Sequence, residues 1–307
     1  MAAGRYILAG GSGLLGDALA RSLTEDGAAV VVLTRSPTAY RGVGRAIAWD
    51  GEHVGEWAAE LEGAAGVVNL TGRNVNTRWT AAARRDILLS RVASANVIAE
   101  AIRRCQTPPP VWVNAGAVGI FGDRGDEVLA DDAAPAAPGS DLLADVCRAW
   151  EAAVENAELL PGVRRVILRF GVVLSHAGAA LPMLVRITRL FAGGRLGSGR
   201  QWVPWIHVDD ALGAVRWALS SDAAAGAHNT TSPNPVTNAE LMRTLRQVLK
   251  RPPAPPAPAW AARIGGKVLG IPIEPALAST RAVPRRLQEA GFAFAYPDLL
   301  AALRDLP

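Results

Sequence analysis

Short, continuous apolar segments alternate with longer segments of helical spacing through the first half of the chain. The apolar segments are residues 6–9, 30–33, 46–49, 66–70, 111–114 and 166–170, and helical spacing covers residues 14–23 and about 80–104. Continuous apolar strands that alternate with helices are typical of a parallel sheet covered on both faces. The pattern therefore predicts an α/β protein with a Rossmann-type, doubly wound parallel sheet.

The pattern changes after about residue 173. It predicts a glycine-rich loop over residues 193–199, a strand over 205–208, and helices over 209–219 and 238–250. Asp209 is predicted to cap its helix, because a carboxylate suits the free amides of a first turn. The proline-rich residues 252–258 predict a stiff linker within a domain. We predict a Rossmann domain of residues 1–173 plus about 205–228, and a smaller, mixed, substrate-side domain of residues 174–204 plus about 229–307.

A glycine-rich loop joins the first predicted strand to the first predicted helix. Its residues match both common glycine spacings of dinucleotide-binding turns and are Gly10, Gly11, Ser12, Gly13, Leu14, Leu15 and Gly16. The early glycines let the backbone approach a pyrophosphate, and the helix N-terminus faces the phosphate charge. A glycine-rich turn without a ligand is the alternative interpretation. The surrounding alternation of strands and helices favours dinucleotide binding.

The end of the second predicted strand indicates which dinucleotide is bound. NAD-binding proteins usually carry an acidic residue there, about 20 residues after the glycines, to hold the ribose hydroxyls. Here the strand ends in Arg35 and Ser36, and no acidic residue lies between Gly27 and Trp49. A guanidinium offers forked donors to a phosphate. The sequence therefore predicts NADP(H), with a solvated surface arginine as the alternative role of Arg35.

Composition and charge exclude several other classes. The net charge of +4 comes from scattered arginines without a basic run, so we expect no nucleic-acid partner. The cysteines, Cys105 and Cys147, are too few for a disulfide framework and favour a reducing compartment. No metal site is expected, because the histidines are isolated from one another and from the cysteines. Without a signal peptide or a membrane-length apolar run, the chain is expected to be cytoplasmic.

Motifs along nearly the whole chain carry a family resemblance. They lie at residues 68–72, 78–80, 90–91, 119–123, 147–151, 169–174, 197–201, 205–207, 233–237 and 251–252. The chain resembles the extended short-chain dehydrogenase/reductases, and within them the "epimerase family" branch, described as nucleoside-diphosphate-sugar epimerases that are cell-division-inhibitor-like. That branch ends in a small C-terminal domain of unknown function.

The resemblance implies further cofactor contacts at Leu70, Thr71, Asp86, Arg91 and Val173, besides Arg35. Gly72 belongs to the same motif as Thr71 and is assigned to the same site. Each contact has an alternative role. Leu70 and Val173 are also suited to the core, and Asp86 and Arg91 to a solvated helix face.

The residues that normally perform acid–base chemistry in this superfamily are replaced. A Tyr-x-x-x-Lys pair and a serine relay the hydroxyl proton while hydride moves to or from the nicotinamide. The tyrosine, lysine and serine positions fall at Leu143, Cys147 and about Gly116. The tyrosines of the chain lie elsewhere, at Tyr6, Tyr40 and Tyr296. No hydroxyl-proton relay is therefore visible in the sequence.

Replacement chemistry has candidates in the second half of the chain, at Arg200, Gln201, Trp205 and His207. A histidine could act as acid or base because its ordinary pKa lies near neutrality. The favoured alternative is a histidine held by a hydrogen bond at the end of a strand. Cys147 as a nucleophile is weaker still, because a lone helical cysteine is usually a small core residue.

Two more segments are candidates for the opening over the nicotinamide. One contains Asn74, Arg78 and Trp79, and the other is the loop of residues 193–199, which suits either a phosphate cradle or a mobile lid.

Competing functions remain from the sequence alone. The first is an NADP(H)-dependent oxidoreductase or epimerase-like enzyme that acts on a small polar substrate by a nonstandard relay. The second is a non-catalytic NADPH-binding regulator that acts through a protein partner. A catalytically silent structural protein is third. The sequence leaves homo-oligomerisation open.

Overall fold

The structure, a computed structural model, describes residues 4–306 as strands and helices joined mostly by short loops. In chain order the strands are β1 (Arg5–Ala9), β2 (Ala29–Thr34), β3 (Arg45–Ala48), β4 (Gly66–Asn69), β5 (Val111–Ala117), β6 (Val128–Leu129), β7 (Arg164–Phe170), β8 (Val172–Leu174), β9 (Trp202–Val203), β10 (Trp205–His207), β11 (Gly226–Thr230), β12 (Val236–Thr237) and β13 (Arg281–Ala282).

The helices follow most of the long strands. They are α1 (Leu14–Glu25), α2 (Ala81–Arg103), α3 (Leu142–Glu155), α4 (Ala180–Arg189), α5 (Val208–Ser220), α6 (Asn238–Val248), α7 (Ala259–Leu269), α8 (Glu274–Leu277), α9 (Arg285–Glu289) and α10 (Leu299–Asp305). Short 3₁₀ helices occur at Pro37–Ala39, Glu56–Leu61 and Val118–Phe121. None of the helices within residues 4–306 combines the length and the apolar character needed to cross a membrane.

A seven-stranded sheet in the order β11-β7-β5-β4-β1-β2-β3 forms the centre of the molecule. All neighbouring strands in it are parallel. The chain runs from β1 outward to β2 and β3, then returns to the other side of β1 at β4. This reversal creates the crevice in which doubly wound sheets bind ligands, at the carboxyl ends of the strands. The predicted Rossmann-type fold is confirmed.

The continuous apolar strands of the sequence are buried on both faces, as a parallel sheet requires. Ile7 of β1 lies between Val31 of β2 and Val67 of β4, and all three side chains are buried. Helices α1, α2, α3 and α5 contribute buried residues to the same core. This main core fixes the strand ends that carry the site.

A smaller core lies among α4, α6 and α10 and includes Leu181, Leu241, Leu303 and Trp205. The proline-rich residues 252–258, predicted as a stiff linker, pack against the glycine-rich loop, where Ala257 bridges to Leu196 as a short parallel pair. The division of the chain into two domains at the predicted boundaries stays a prediction.

The start of α5 corrects one prediction. Asp209 does not cap this helix: His207 is the N-cap residue, and its Nδ1 accepts a hydrogen bond of 3.1 Å from the amide of Asp209. The predicted strand over 205–208 accordingly ends at His207. An amide of the first turn therefore donates to an imidazole nitrogen, where the sequence predicted a carboxylate acceptor.

Asp131 joins three distant parts of the chain. Its carboxylate accepts hydrogen bonds from the amides of Asn229 at 2.6 Å and Arg286 at 3.0 Å. Its carbonyl oxygen accepts a third from Arg169 Nη1, at 2.9 Å. This buried residue therefore ties the last strands of the sheet to the C-terminal segment.

Candidate functional site

The glycine loop between β1 and α1 brings backbone segments too close for side chains. A Cβ atom built on Gly16 lies 2.5 Å from the Cα of Gly11, and one built on Gly10 lies 2.9 Å from the backbone of Thr71. Gly10 also has a φ of +75°, which glycine adopts readily. These residues therefore hold the ends of β1 and β4 and the start of α1 against one another.

A cavity of about 900 Å³ opens beside this loop, and we call it the first cavity. Its walls come from the carboxyl ends of β1, β2, β3 and β4, and from the start of α2. Among the predicted cofactor contacts, the structure places Gly10, Ser12, Gly13, Arg35, Ser36, Leu70, Thr71, Gly72 and Asp86 in its lining. Gly11, Leu14, Leu15 and Gly16 shape the loop beside it.

Local features of the first cavity suit a phosphorylated ligand. Gly13 is the N-cap residue of α1 and provides no side-chain cap, which leaves amides of the first turn available to an anion. Thr71 Oγ1 is buried and has no hydrogen-bond partner within the described residues. The exposed guanidinium of Arg35 lies at the end of β2. The donors, the glycine cradle and the volume fit a nicotinamide dinucleotide.

The structure also reveals lining residues that the sequence reasoning missed. They include Asp17, Tyr40, Arg41, Asp50 and Arg73. The position of Asp50 could have been inferred, since it follows the third strand at the same sheet edge. Its carboxylate accepts from the amides of Glu52 and His53 at 2.8 and 2.9 Å, and these hydrogen bonds lower the pKa of Asp50 to about 2. Asp17 is engaged by Arg21, whose Nε lies 3.0 Å away.

Asp86 and Arg91 are not a solvated pair with each other. Asp86 pairs with Arg73, and Arg91 Nη1 donates to the carbonyls of Arg73 and Ile87 at 3.1 and 3.0 Å. The guanidinium of Arg91 lies over the ring of Trp150, 5.2 Å from its centroid, and burial lowers the pKa of Arg91. Both side chains are thus fixed beside Gly72. Their cofactor contacts stay a prediction, as does that of Val173, which pairs with Ile206 between β8 and β10.

The four candidates for replacement catalysis do not gather around an open space. Trp205 is buried and donates to the carbonyl of Asn234, and Gln201 is buried and donates to the carbonyls of Leu196 and Ala276. Arg200 is exposed, and His207 is buried at the start of α5. None of them lines the first cavity or the second cavity described below. Their catalytic role stays a prediction without a contact that supports it.

His207 has closer neighbours than the sequence suggested. Its ring stacks on Tyr296 at a centroid distance of 3.9 Å, and its Nε2 lies 3.3 Å from a carboxylate oxygen of Asp305. One ligand-type atom from each of His207, Asp209 and Asp305 lies within 4.8 Å of the other two. The sequence expectation concerned only histidines and cysteines, and the neighbours that the structure adds to His207 are carboxylates. The hydrogen bond to Asp305 raises the pKa of Tyr296.

A second cavity of about 620 Å³ lies where β5 ends and the C-terminal segment crosses the start of α3. Its lining mixes apolar and charged side chains and consists of Gly119, Phe121, Gly122, Asp123, Arg124, Ala136, Ala137, Ser140, Asp141, Leu143, Arg263, Glu274, Pro275, Leu277, Ala278 and Thr280. Because β4 and β5 are parallel neighbours, the two cavities lie along the same edge of the sheet. A dinucleotide that crosses this edge from β2 toward β5 would run from the first cavity toward the second.

The positions of the usual proton relay lie beside the second cavity. Leu143 lines it, and Cys147 is buried one turn further along α3, where burial raises the pKa of its thiol to about 12. A Cβ atom on Gly116 would lie 3.3 Å from a carboxylate oxygen of Glu151. The proton relay of the superfamily therefore has no counterpart at these positions.

A buried ion pair stands under the same strand end. The Nε and Nη2 of Arg169 donate to the two carboxylate oxygens of Glu151 at 2.9 and 2.7 Å. Burial raises the pKa of Glu151, and the hydrogen bonds from Arg169 oppose that shift. Local sequence patterns do not predict this pair, because its members lie on different elements, Glu151 on α3 and Arg169 on β7.

The fold and the glycine-lined cavity define a dinucleotide-binding protein of the extended short-chain dehydrogenase/reductase class. The chain belongs to the NAD dependent epimerase/dehydratase family, whose sequence pattern matches residues 6–230. Residues 257–306 match a second pattern, described as a domain of unknown function, DUF1731. The chain is thus a nicotinamide-dinucleotide-binding member of the epimerase family, and the resemblance seen in its motifs is confirmed.

Individual relatives support the same assignment over the whole chain. The "Epimerase family protein SDR39U1 homolog, chloroplastic" of Arabidopsis thaliana is 36% identical over 97% of this chain and 85% of its own length. The "Epimerase family protein SSP1921" of Staphylococcus saprophyticus is 33% identical over 98% of both chains. The crystal structure of human epimerase family protein SDR39U1, isoform 2, with NADPH has a TM-score of 0.85 at 31% identity and covers 98% of both chains.

Proposed function

We propose that the protein binds NADPH in preference to NADH and transfers hydride between this cofactor and a small substrate held in the second cavity. The observation that carries the proposal is the placement of the two cavities along one sheet edge, with the glycine loop and Arg35 in the first. When bound, NADP(H) supplies or accepts the hydride. The chain holds the cofactor and positions the substrate.

The preference for the 2′-phosphate rests on the charges around the end of β2. Arg35 and Ser36 lie there with Arg41, and all three line the first cavity. The nearby carboxylates of Asp17 and Asp50 already accept hydrogen bonds from other groups. A phosphate therefore meets forked donors at the end of β2, whereas the carboxylates of Asp17 and Asp50 are already engaged and less available to ribose hydroxyls. The human relative was crystallised with NADPH, which supports this choice.

Removal of the Arg35 guanidinium tests the cofactor preference. We expect Arg35→Ala to weaken NADPH binding by roughly tenfold to a hundredfold, because hydrogen bonds to charged groups contribute about 1.5–3 kcal/mol. Binding of NADH should change little. Titration calorimetry with both cofactors measures this, and Arg285→Ala, an exposed arginine paired with Asp132, is the matched control. Equal losses for NADPH and NADH would contradict the proposal.

A regulator without turnover is the second candidate, and the residues at the relay positions favour it. Leu143, Cys147 and Gly116 supply no acid or base beside the second cavity. Such a protein would change a partner-binding surface when NADPH occupies the first cavity. Affinity capture from a lysate with and without NADPH tests this, with Arg35→Ala as the binding-deficient control. Identical partners under all conditions would exclude the regulator.

A further inference from the structure

We infer that the second cavity receives a flat, conjugated electron acceptor of the quinone or flavin type, anchored by Arg263. The inference rests on the proposed hydride transfer and names the class of substrate. Such an acceptor becomes a delocalised anion when it gains a hydride, so it needs no proton from the protein during that step. An aliphatic ketone or aldehyde does need one, because its product would otherwise be a localised alkoxide.

The first support is the state of the groups at the relay positions. A general acid works best when its pKa lies near the working pH, and it contributes about 10²–10⁴-fold to the rate. Leu143 and Gly116 carry no proton to give, and the thiol of Cys147 has a pKa of about 12 and is buried. Tyr6, Tyr40 and Tyr296 all lie outside the second cavity. Carbonyl reduction therefore lacks its usual assistance.

The remaining hydroxyls and carboxylates of the lining are engaged in local hydrogen bonds. Ser140 donates to the carbonyl of Ala137 at 2.6 Å, and Thr280 donates to the carbonyl of Gly122 at 2.8 Å. The carboxylate of Asp141 accepts from the amide of Ala144 at the start of α3.

Asp123 and Glu274 are engaged in the same way. Asp123 accepts from the amides of Gly125 and Ser279 at 3.2 and 3.3 Å, and Glu274 accepts from the amide of Ile273 at 3.2 Å. These side chains shape the cavity and leave the hydride step without a proton donor among its described lining.

The second support is the combination of an apolar wall with an available cation. Phe121, Leu143 and Leu277 offer apolar surface to a flat ring. Arg124 is saturated, because it pairs with both carboxylate oxygens of Glu127 at 2.8 and 2.7 Å and donates to a carbonyl. Arg263 is exposed and has only a loose ion pair, with its Nε 4.0 Å from Glu274. A guanidinium so placed stabilises negative charge that develops on an acceptor.

The reaction balances without a further reagent. The acceptor gains one hydride, which is a proton with two electrons, and NADPH is oxidised to NADP⁺. Water supplies the second proton after the hydride has been transferred. Arg263 holds the anion in the interval.

The test compares acceptors under anaerobic conditions, with NADPH oxidation followed by absorbance. We expect menadione or FMN to be reduced, at a rate that is the same in H₂O and D₂O and that falls with NADPH deuterated at the transferred position. Two separate arms, menadione and FMN, distinguish the quinone from the flavin. Aliphatic ketones, aldehydes and sugar nucleotides should react at least about a hundredfold more slowly, given the missing acid.

A binding measurement complements the rates. With NADP⁺ in place of NADPH no turnover occurs, and equilibrium dialysis then reports the affinity for FMN or for a quinone sulfonate. Arg263→Ala should weaken that affinity roughly tenfold, since a hydrogen bond to a charged group is lost. Arg263→Lys should restore part of it. Arg285→Ala, on α9 outside the second cavity, is the matched control and should have no effect.

The outcomes separate this inference from the proposed function. Faster reduction of ketones or sugar nucleotides than of menadione and FMN would overturn the acceptor class and leave hydride transfer intact. NADPH binding without oxidation by any acceptor would overturn both. A strong solvent isotope effect, or unchanged binding by Arg263→Ala, would also contradict the inference.

Discussion

The two cavities share one sheet edge, yet their walls are built in opposite ways. Around the first cavity, Gly10 and Gly16 hold backbone segments together at distances that exclude side chains. Beside the second cavity, the volume is filled by large buried groups, namely Trp150 and the ion pair of Glu151 with Arg169. The first arrangement keeps donors such as Thr71 Oγ1 open to a ligand, whereas in the second Glu151 and Arg169 hydrogen-bond to each other. Cofactor binding and proton relay are therefore separable parts of this fold.

The ion pair of Glu151 with Arg169 provides the strongest test of the packing beside the second cavity. Glu151→Ala should destabilise the protein by about 3–5 kcal/mol, because it leaves Arg169 charged and buried without its partner. The double variant Glu151→Leu with Arg169→Met should recover most of that loss, since well-packed apolar residues replace buried ion pairs at little cost. Urea denaturation of both variants measures the free energies. Equal losses in the single and the double variant would show that packing around Asp131, and not the unpaired charge, dominates.

The glycine loop provides the matching test of the first cavity. Gly16→Val should cost about 1–3 kcal/mol through overpacking and abolish the thermal stabilisation by NADPH, because its Cβ would lie 2.5 Å from the Gly11 backbone. Gly265→Val in α7 is the control, since a Cβ there meets no atom within 4 Å. If Gly16→Val still binds NADPH with unchanged affinity, the loop is not the pyrophosphate site.

Gly116→Ser, which restores the serine of the superfamily, tests the packing beside the second cavity with a smaller expected loss of stability. In Gly116→Ser the new Cβ would lie 3.0 Å from Ile167 Cγ2 and 3.3 Å from a Glu151 oxygen, so neighbours must shift slightly. We expect a loss of about 1 kcal/mol in thermal or urea unfolding. Gly119→Ser, whose Cβ would have ordinary contact with Cys147 Sγ at 3.9 Å, should cost less. The reverse order would mean that the ion pair tolerates a serine.

The smallest expected effect is a pH dependence of folding stability that arises at His228, on the edge strand β11. Burial lowers the pKa of His228, and the charge of Asp131 only partly offsets this shift. The folded state thus disfavours the imidazolium, so stability is full above the ordinary histidine pKa of about 6.5 and declines as the pH falls below it. His228→Gln should remove that decline, because glutamine does not titrate in this range, and its amide can still donate to the carbonyl of Ala225. Denaturation between pH 5 and pH 8 measures it, with the exposed His176→Gln as control; an unchanged slope would assign the decline to other groups.

The sheet and the glycine loop could be predicted because each depends on local sequence. Continuous apolar segments produced buried strands, and glycines at fixed spacing produced the loop beside β1. The end of β2 likewise identified Arg35 as a lining residue. The position of Asp50 was within reach of the same reasoning, because it follows the next strand at the same edge.

Other parts depend on contacts between distant residues and could not be read from local patterns. The partners of His207 are Tyr296 and Asp305, which reach it from the far end of the chain. The helix cap expected at Asp209 passed to His207, since residues of similar polarity compete for one amide. The second cavity has walls from α3 and from α7 and α8, so the sequence pointed to Leu143 but not to Arg263.

Asp131 also bears on how the protein can fold while it is being made. Its carboxylate binds the amide of Arg286, which is 155 residues later in the chain. Contacts between residues so far apart in the sequence form late, because closing the loop between them costs entropy before the contact can stabilise the fold. A nascent chain can form β1 to β5 from residues already synthesised, whereas the β7 and β11 edge waits for its C-terminal partner. During synthesis that edge is the part of the sheet with the greatest need of protection from other chains.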